Sequence, residues 1–329
     1  MAILELTEAC KTYRIVQRQD GISGALKNLF VPRYRDIQAV KRISFAIEAG
    51  EMVGFIGPNG AGKSTTIKLL TGVLVPTSGR VQVLGLSPFK DRKRYVGRIG
   101  VVFGQRTQLW WDLPVSDTFD LLRKIYGVPP QTYRRNLELF DDILGLADFR
   151  HQLARQLSLG QRMRADIAAA LLHDPELVFL DEPTIGLDIV AKDKIRGFMQ
   201  HINAERGVTM LLTSHDMQDM ERTCQRVIVI DKGALLYDGS VSGLASLSGS
   251  RRSLIVDFNV HTRCEPISGT ELIQENALRA RFSFDRGSMQ VHELVSQVAK
   301  KYDIADMTIE EPSIESVVKT IFSAQQARL

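Results

Sequence analysis

A glycine-rich stretch in the first quarter of the chain fits the pattern G-x-x-x-x-G-K-[ST]. It consists of Gly57, Pro58, Asn59, Gly60, Ala61, Gly62, Lys63, Ser64 and Thr65. The apolar run 52–56 before it is typical of a buried strand, and residues 66–70 after it are typical of a helix. Glycines let backbone N–H groups turn inward around an anion, and the helix N-terminus adds partial positive charge. This context favours a phosphate-binding loop over an ordinary glycine-rich turn, with Lys63 on the β- and γ-phosphates and Ser64 on Mg²⁺.

Polar side chains end three further apolar runs. Asp181 and Glu182 follow residues 177–180, and two carboxylates there are costly unless they are paired or bound to a metal. We therefore expect Asp181 to hold Mg²⁺ and Glu182 to orient or deprotonate a water molecule. Gln105 follows the run 99–103 and can hold Mg²⁺ or water, although alone it is only a polar residue at a loop start. His215 ends the run that begins at Val208, and in the same sheet it would face the γ-phosphate.

Two residues have two interpretations each. Ser158 precedes an alanine-rich helix predicted over 162–172, so it is either an N-cap or part of a second anion site at a helix end. Tyr13 lies in a short predicted strand and is either a half-buried strand aromatic or a residue that stacks on adenine.

Length, net charge and cysteine spacing limit the class of protein to which the chain can belong. A length of 329 residues suggests about two domains. The formal net charge of +4 does not indicate nucleic acid, and no apolar stretch is long enough for a membrane span. Cys10, Cys224 and Cys264 are widely spaced, without metal or redox spacing, so we expect reduced thiols in a cytosol.

The ordered set of motifs resembles the nucleotide-binding subunit of an ATP-binding cassette transporter. The resemblance covers residues 1–240 and rests on Tyr13, the loop 57–65, Gln105, residues 158–161, the acid pair, Asp188 and His215. It implies an α/β fold: a P-loop ATPase domain with a mixed core sheet, an antiparallel subdomain and a helical subdomain at about 106–172. Residues 250–329, after a Ser- and Gly-rich boundary, would form a small C-terminal α/β domain.

The resemblance also implies roles for the site residues. Tyr13 would stack on the adenine of ATP, and Lys63, Ser64 and Gln105 would hold phosphate and Mg²⁺ together with Asp181. Glu182 would act as general base and His215 would contact the γ-phosphate. Ser158, Gly160 and Gln161 would reach ATP on a second cassette in a head-to-tail homodimer, with Asp188 across that interface. The family usually has Gly at the position of Leu159, which puts dimer closure in question.

We therefore expect an ATPase that energises membrane permease subunits, peripheral on the cytoplasmic face of the inner membrane, of exporter type, with no nucleic-acid partner. An importer ATPase, a cassette ATPase acting on ribosomes or DNA, and a regulatory nucleotide binder are the alternatives. Each motif occurs once, unlike in ribosome-acting relatives with two cassettes, and the intact Glu182 argues against a mere binder.

Two further stretches point to partners. Residues 17–38 are basic, with an amphipathic helix possible at 26–30 or else a solvated loop. Trp110 and Trp111 are adjacent in a predicted loop, so at least one should meet a partner.

In the tail, apolar alternation predicts strands at 254–260 and 278–284, and helical spacing predicts helices at 291–298 and 314–321.

Overall fold

The computed structural model describes residues 2–17, 33–104, 106–214, 217–246, 251–285, 287–310 and 317–318. The chain divides into two compact units, Met1–Asp238 and Gly239–Leu329. Four sequence-based expectations fall outside the described residues: the helix at 26–30, the side chains of Gln105 and His215, and all but two residues of the last helix.

The first unit contains two sheets. Their strands are β1 Ala2–Gln17, β2 Arg33–Glu48, β3 Met52–Ile56, β4 Ser78–Val83, β5 Ile99–Phe103, β6 Leu177–Asp181, β7 Thr209–Ser214, β8 Arg226–Asp231 and β9 Ala234–Ser240, the last of which crosses the boundary between the units. The described helices are α1 Lys63–Leu70, α2 Arg92–Tyr95, α3 Val115–Tyr126, α4 Pro130–Leu144, α5 Leu159–Leu171, α6 Ile189–Arg206 and α7 Met217–Thr223.

The core sheet runs in the order β5-β6-β7-β3-β8-β9. Its first five strands pair in parallel, so their carboxyl ends meet at one edge. All residues of β3 and β7 are buried, as continuous apolar runs covered on both faces require. The sequence predicted β3 and β5 with these bounds. The sequence also predicts a hairpin at 226–239 with its turn at 231–233. The structure confirms it as β8 and β9, with Lys232 and Gly233 in positive φ.

The second sheet of this unit is antiparallel, in the order β2-β1-β4. The sequence predicts a short edge strand at 3–6 and a second short strand at 12–15, and this prediction is wrong. Ala2–Gln17 is one strand of 16 residues, and it lies between the other two. Register shifts between Leu6 and Thr12 accommodate the polar residues that made the pattern look interrupted.

Between β5 and β6 the chain is mainly helical. Helix α3 ends at Gly127 and α4 at Gly145, both in the left-handed conformation that favours glycine at a helix end. Helical apolar spacing at 137, 140, 143 and 144 predicts a stripe that faces the core, and two of its members, Phe140 and Leu144, are fully buried. The start of α5 at Leu159 confirms the predicted helix, three residues earlier than expected.

The second unit is built on an antiparallel sheet of order β11-β12-β10-β13. Its elements are α8 Val241–Ser246, β10 Arg251–Phe258, β11 Thr270–Asn276, β12 Arg279–Asp285, α9 Val291–Lys301 and β13 Ile304–Glu310. Leu294 and Val298 of α9 pack on the apolar face of β10 and β12, as the helical spacing predicts. Strand β11 was not predicted because it is a mostly exposed edge strand without apolar alternation. Among the described residues, no helix is long and apolar enough to span a membrane.

Candidate nucleotide-binding site

The phosphate loop is held by close backbone packing at two of its glycines. A Cβ at Gly57 would lie 2.4 Å from the carbonyl oxygen of Ile230, and one at Gly62 would lie 2.5 Å from that of Ala39. Gly62 also has φ of 109°, a conformation that L side chains rarely adopt. The loop therefore fits between β2 and β8 only with glycine at these positions, and helix α1 begins at its end.

The side chain of Lys63 places a buried positive charge inside this loop. Its side chain is 6% exposed, and Nζ donates to the carbonyl oxygens of Gly57 at 2.6 Å and Pro58 at 3.3 Å. Burial lowers the pKa of Lys63, while the charges of Glu182 and Asp181 raise it. The Lys63 ammonium therefore interacts electrostatically with both carboxylates of the acid pair. This is expected, because the carboxyl ends of parallel strands meet at one edge of the sheet.

The acid pair is organised by Thr213 of the neighbouring strand. Thr213 Oγ1 donates to Asp181 Oδ1 at 2.6 Å and accepts from the Glu182 backbone N–H at 3.0 Å. The same N–H also reaches the Thr213 carbonyl at 3.1 Å. Glu182 has φ of 56°, which is strained for a non-glycine residue and turns its backbone away from the line of β6.

The segment that leads to Gln105 passes beside the acid pair. Gly104 N–H donates to the Asp181 carbonyl at 2.7 Å. A Cβ at Gly104 would lie 2.6 Å from that oxygen and 2.8 Å from the Glu182 carbonyl, so only glycine fits. On the other side, Ser214 is the last residue of β7 and pairs with Ile56, directly before the phosphate loop. The chain positions next to Gln105 and His215 therefore lie at the sheet edge predicted for them.

Ser158 is the N-cap of α5. Its hydroxyl accepts from Gln161 N–H at 3.2 Å, and the Gln161 side chain accepts from Ser158 N–H at 2.9 Å, which together form a capping box. The N-cap interpretation is therefore confirmed. The anion-site interpretation stays a prediction.

The start of α5 lies against the start of α6. A Cβ at Gly160 would lie 3.3 Å from Ala191 Cβ, and one at Gly186 would lie 3.1 Å from Leu159 Cδ2. Asp188 caps α6 by accepting from Ala191 N–H at 2.8 Å. The residues at the starts of α5 and α6 thus form a second cluster, separate from the residues that contact the phosphate loop.

The loop after Glu182 is fixed by Asp219 of α7. Thr184 Oγ1 donates to Asp219 Oδ2 at 2.8 Å, and Arg196 of α6 contacts Oδ1 at 2.9 Å. Lys192 lies 3.4 Å from Oδ2. Because Asp219 is 3% exposed, its pairing with two cations is what makes a carboxylate tolerable there.

Tyr13 is half-buried on β1, with Lys11 Nζ 5.6 Å from its ring centroid. It pairs with Ile37 of β2, two residues before Ala39, whose carbonyl packs beside Gly62. The structure thus places Tyr13 on the strand that pairs with β2, and β2 lies beside the phosphate loop; the contact of Tyr13 with adenine stays a prediction.

Comparison with known proteins decides the family. Residues 40–185 match the family described as ABC transporter. The chain is 34% identical over 224 residues to the ABC transporter ATP-binding protein NatA of Bacillus subtilis, covering 68% of this chain and 89% of NatA. The chain belongs to the ABC transporter family of ATP-binding proteins.

Other cassettes of the family have diverse named roles. The linearmycin resistance ATP-binding protein LnrL of Bacillus subtilis is 34% identical over 64% of this chain and 67% of its own length. The methionine import ATP-binding protein MetN 2 of Enterococcus faecalis is 30% identical over 85% of this chain and 83% of its own length. A cassette solved as a dimer in a post-hydrolysis state, with ADP and phosphate, matches with a TM-score of 0.60 at 27% identity, covering 72% of this chain and 98% of that one.

The cassette fold and its side chains fit ATP and Mg²⁺. Lys63 supplies a buried cation inside a loop in which Gly60 and Gly62 adopt positive φ, and backbone N–H groups turned inward beside a cation suit phosphate oxygens. Ser64 is exposed at the start of α1, and Asp181 is a partly exposed carboxylate. A hydroxyl and a carboxylate are the hard oxygen ligands that Mg²⁺ prefers.

Sequence reasoning about this cassette missed Thr213, Thr184 and Asp219. Thr213 carried a weak signal, since it is a hydroxyl near the end of an apolar strand that was predicted to lie in the same sheet as the acid pair. Nothing local marks Asp219, whose partners come from the loop after β6 and from α6.

Proposed function

We propose that this cassette hydrolyses ATP with Mg²⁺ and thereby energises transport through separate membrane subunits. The observation that carries the proposal is the joint placement of Lys63, Asp181 and Glu182, with Thr213 holding both acids at the carboxyl edge of the sheet. A site that only bound nucleotide would not need Glu182, a carboxylate residue with a strained backbone, beside the phosphate loop.

Each residue then has a defined task. The loop amides and Lys63 bind the β- and γ-phosphates, and Ser64, Asp181 and Gln105 hold Mg²⁺, which neutralises phosphate charge when bound. Glu182 accepts a proton from the attacking water or orients it, and His215 contacts the γ-phosphate. Tyr13 stacks on adenine. Rate acceleration comes from positioning and charge, not from a covalent intermediate.

We also propose that two copies of the chain act head to tail. Ser158, Gly160 and Gln161 would then contact ATP bound by the partner copy, with Asp188 across the interface. Ser158 is exposed at the N-terminus of a helix of 13 residues, where an anion is favoured. A similar solved cassette is a dimer, which supports this arrangement.

The membrane subunits would contact the loop that follows β5. Trp110 and Trp111 are 43% and 53% exposed, unusual for tryptophan outside an interface. The cassette, residues 1–240 with a helical part at 106–172, would lie on the cytoplasmic face of the inner membrane, and residues 250–329 would form the appended domain. We propose export, which the basic segment 17–38, the appended domain and the resistance-named relative support, while an import-named relative makes import the competing direction.

Two measurements test this function. Purified chain with MgATP should release phosphate, and Lys63→Ala and Glu182→Gln should abolish that release without unfolding the protein. Affinity purification from membranes should recover integral membrane subunits. Phosphate release at background level in the wild type, even with membrane subunits bound, would contradict the proposal.

A further inference from the structure

A strongly basic stretch runs from the end of α1 to the residue before β5. Residues 68–98 contain seven lysines and arginines and a single acidic residue, Asp91. Their formal net charge is therefore +6, whereas the whole chain has a formal net charge of +4. This segment thus accounts for more than the entire net positive charge of the chain.

Helix α2 presents three of these cations on one anchored turn. Tyr95 is fully buried, and its hydroxyl donates to the Leu70 carbonyl at 2.6 Å. Arg92 Nη1 donates to the Gly72 carbonyl at 2.9 Å. The three basic residues of the helix are exposed around these two bonds. Their charges are therefore held at one place on the surface.

Most of this charge is not neutralised within the described part of the chain. No carboxylate there forms an ion pair with Lys90, Lys93 or Arg94. Asp91 Oδ2 instead accepts from the Ser87 backbone N–H at 2.9 Å. Arg98 is the exception in the segment, since it pairs with Glu176 at 2.6 Å. The other cations are available to an anionic partner.

Two exposed valines lie beside the same turn. Val73 and Val75 are 53% and 51% exposed. The residue before Val73 is Gly72, whose carbonyl accepts from Arg92, and Lys11 Nζ donates to the Val75 carbonyl at 2.8 Å. Apolar side chains flanked by cations are typical of segments at a membrane surface, where the apolar groups enter the acyl boundary and the cations meet phosphates.

The turn also adjoins the loop that we propose as the contact of the membrane subunits. A cavity of about 190 Å³ is lined by Val73 and Arg92 of this segment and by Gln108 of the loop after β5. Gln108 precedes the exposed Trp110 by two residues. The basic turn therefore lies on the side of the cassette that would face the bilayer.

We propose that this basic surface, residues 90 and 92–94 with Val73 and Val75, binds anionic phospholipid headgroups. The inference rests on the proposed function, in which membrane subunits bring the cassette to the bilayer. Nucleic acid fits the surface poorly, because α2 is a single turn of four residues and offers little to a groove. The aromatic residues of the segment, Phe89 and Tyr95, are half-buried and buried, so neither is exposed for stacking on a base.

The test compares charge-matched variants of the full chain. The first combines Lys90→Gln, Lys93→Gln and Arg94→Gln, and it keeps Arg92 and its bond to Gly72. The control removes three exposed cations from α4, α6 and α7, by Arg134→Gln, Lys194→Gln and Arg222→Gln. None of these residues belongs to the candidate nucleotide site, so both variants should hydrolyse ATP at the wild-type rate. Thermal melting identifies any variant that fails to fold.

The readout is cosedimentation with vesicles in the absence of nucleotide. Vesicles of phosphatidylcholine alone are compared with vesicles of phosphatidylcholine and phosphatidylglycerol in equal parts. The wild type should prefer the anionic vesicles, and added salt should weaken that binding. The first variant should bind them about ten- to a hundredfold more weakly, because each cation near an anionic surface contributes about a fivefold factor. The control should stay close to the wild type.

The apolar part of the surface has its own variant. Val73→Ser combined with Val75→Ser should lower the affinity for anionic vesicles by about tenfold, at low and high salt alike, because salt does not screen apolar burial. Unchanged affinity would overturn the assignment of the valines to the lipid contact.

Several outcomes would overturn the inference as a whole. They are equal vesicle binding by the charge variant and its control, and no preference of the wild type for anionic vesicles. Inorganic phosphate that displaced the wild type far better than chloride at equal ionic strength would indicate a phosphate pocket instead of a lipid surface. Loss of membrane subunits, but not of vesicle binding, from the charge variant would indicate a protein partner.

Phosphate release by the wild type is measured separately and distinguishes the two proposals. Normal release without vesicle binding would overturn only this inference. Vesicle binding without release, even with membrane subunits bound, would overturn the ATPase function and leave the lipid contact standing.

Discussion

Thr213 donates its hydroxyl to Asp181 over 2.6 Å and accepts the backbone N–H of Glu182 with the same oxygen. One buried side chain on β7 therefore bonds the carboxylate of Asp181 and the backbone of Glu182 at the end of β6. Parallel pairing makes this possible, because Asp181 and Thr213 are register partners in adjacent strands. The proposed metal ligand Asp181 and the proposed base Glu182 are thus both bonded to the same residue of β7.

The first prediction tests this relationship. Thr213→Val should lower kcat by about tenfold or more, because a displaced carboxylate binds Mg²⁺ and water poorly. ATP affinity without Mg²⁺ should change little, since the hydrogen bonds described for Thr213 go to Asp181 and Glu182 and not to the phosphate loop. Thr213→Ser keeps the hydroxyl and should retain most activity. Equal rates in the valine and serine variants, measured as phosphate release, would remove Thr213 from this role.

Lys63 provides the second prediction. Lys63→Ala should weaken ATP binding by about tenfold or more, since a charge-assisted hydrogen bond contributes roughly 1.5–3 kcal/mol. Lys68→Ala, on the exposed side of the same helix, is the matched control and should bind like the wild type. Titration calorimetry measures both, and equal dissociation constants for the two variants would count against the phosphate loop.

The third prediction concerns pH and Asp166, a buried residue of α5. Burial raises its pKa to about 6 in the folded chain, so the folded state binds more protons than the unfolded state between about pH 4 and 6. The contribution of this group to stability is present below pH 4 and is lost as pH rises through 6. Asp166→Asn removes that dependence.

Urea unfolding at pH 4 and pH 7 measures the effect. Relative to the wild type, the free energy of unfolding of Asp166→Asn should rise by up to about 3 kcal/mol between the two pH values, since one pKa unit corresponds to about 1.4 kcal/mol. A difference between the two proteins that stays constant with pH would show that Asp166 titrates normally.

Dimerisation is the subject of the fourth prediction. Glu182→Gln with MgATP should form a head-to-tail dimer, because blocked hydrolysis leaves the nucleotide in place. Adding Ser158→Arg should abolish that dimer, while the helix itself loses only about 1 kcal/mol from its N-cap. Leu159 is 38% exposed beside Gly186, so Leu159→Gly should favour closure if that side chain restrains it. Light scattering after size-exclusion chromatography reads the mass of each variant. Monomers throughout, with membrane subunits bound, would contradict the dimer.

Local signals predicted the secondary structure at the centre of this candidate site. The apolar run, the glycine pattern and the helix around Lys63 were all visible, as was the capping position of Ser158. The hydrogen bonds between residues far apart in the sequence were not visible in these local signals. Thr213 and Asp181 are 32 residues apart, Thr107 and Asp166 are 59 apart, and Thr184 and Asp219 are 35 apart. Such pairs depend on which strands and helices become neighbours, and that is decided by tertiary packing. For the same reason the length of β1 was missed, since its pairing with β2 and β4 overrides its interrupted pattern.

Glu182 is the residue that, in the proposed function, makes this cassette an ATPase and not only a nucleotide-binding protein. The most direct measurement compares ATP binding and phosphate release in the wild type and Glu182→Gln, whose amide has the same shape but cannot accept the proton. ATP affinity should be unchanged, and phosphate release should fall by at least about a hundredfold, the scale expected for loss of a general base. Near-normal phosphate release by folded Glu182→Gln would contradict this role of Glu182.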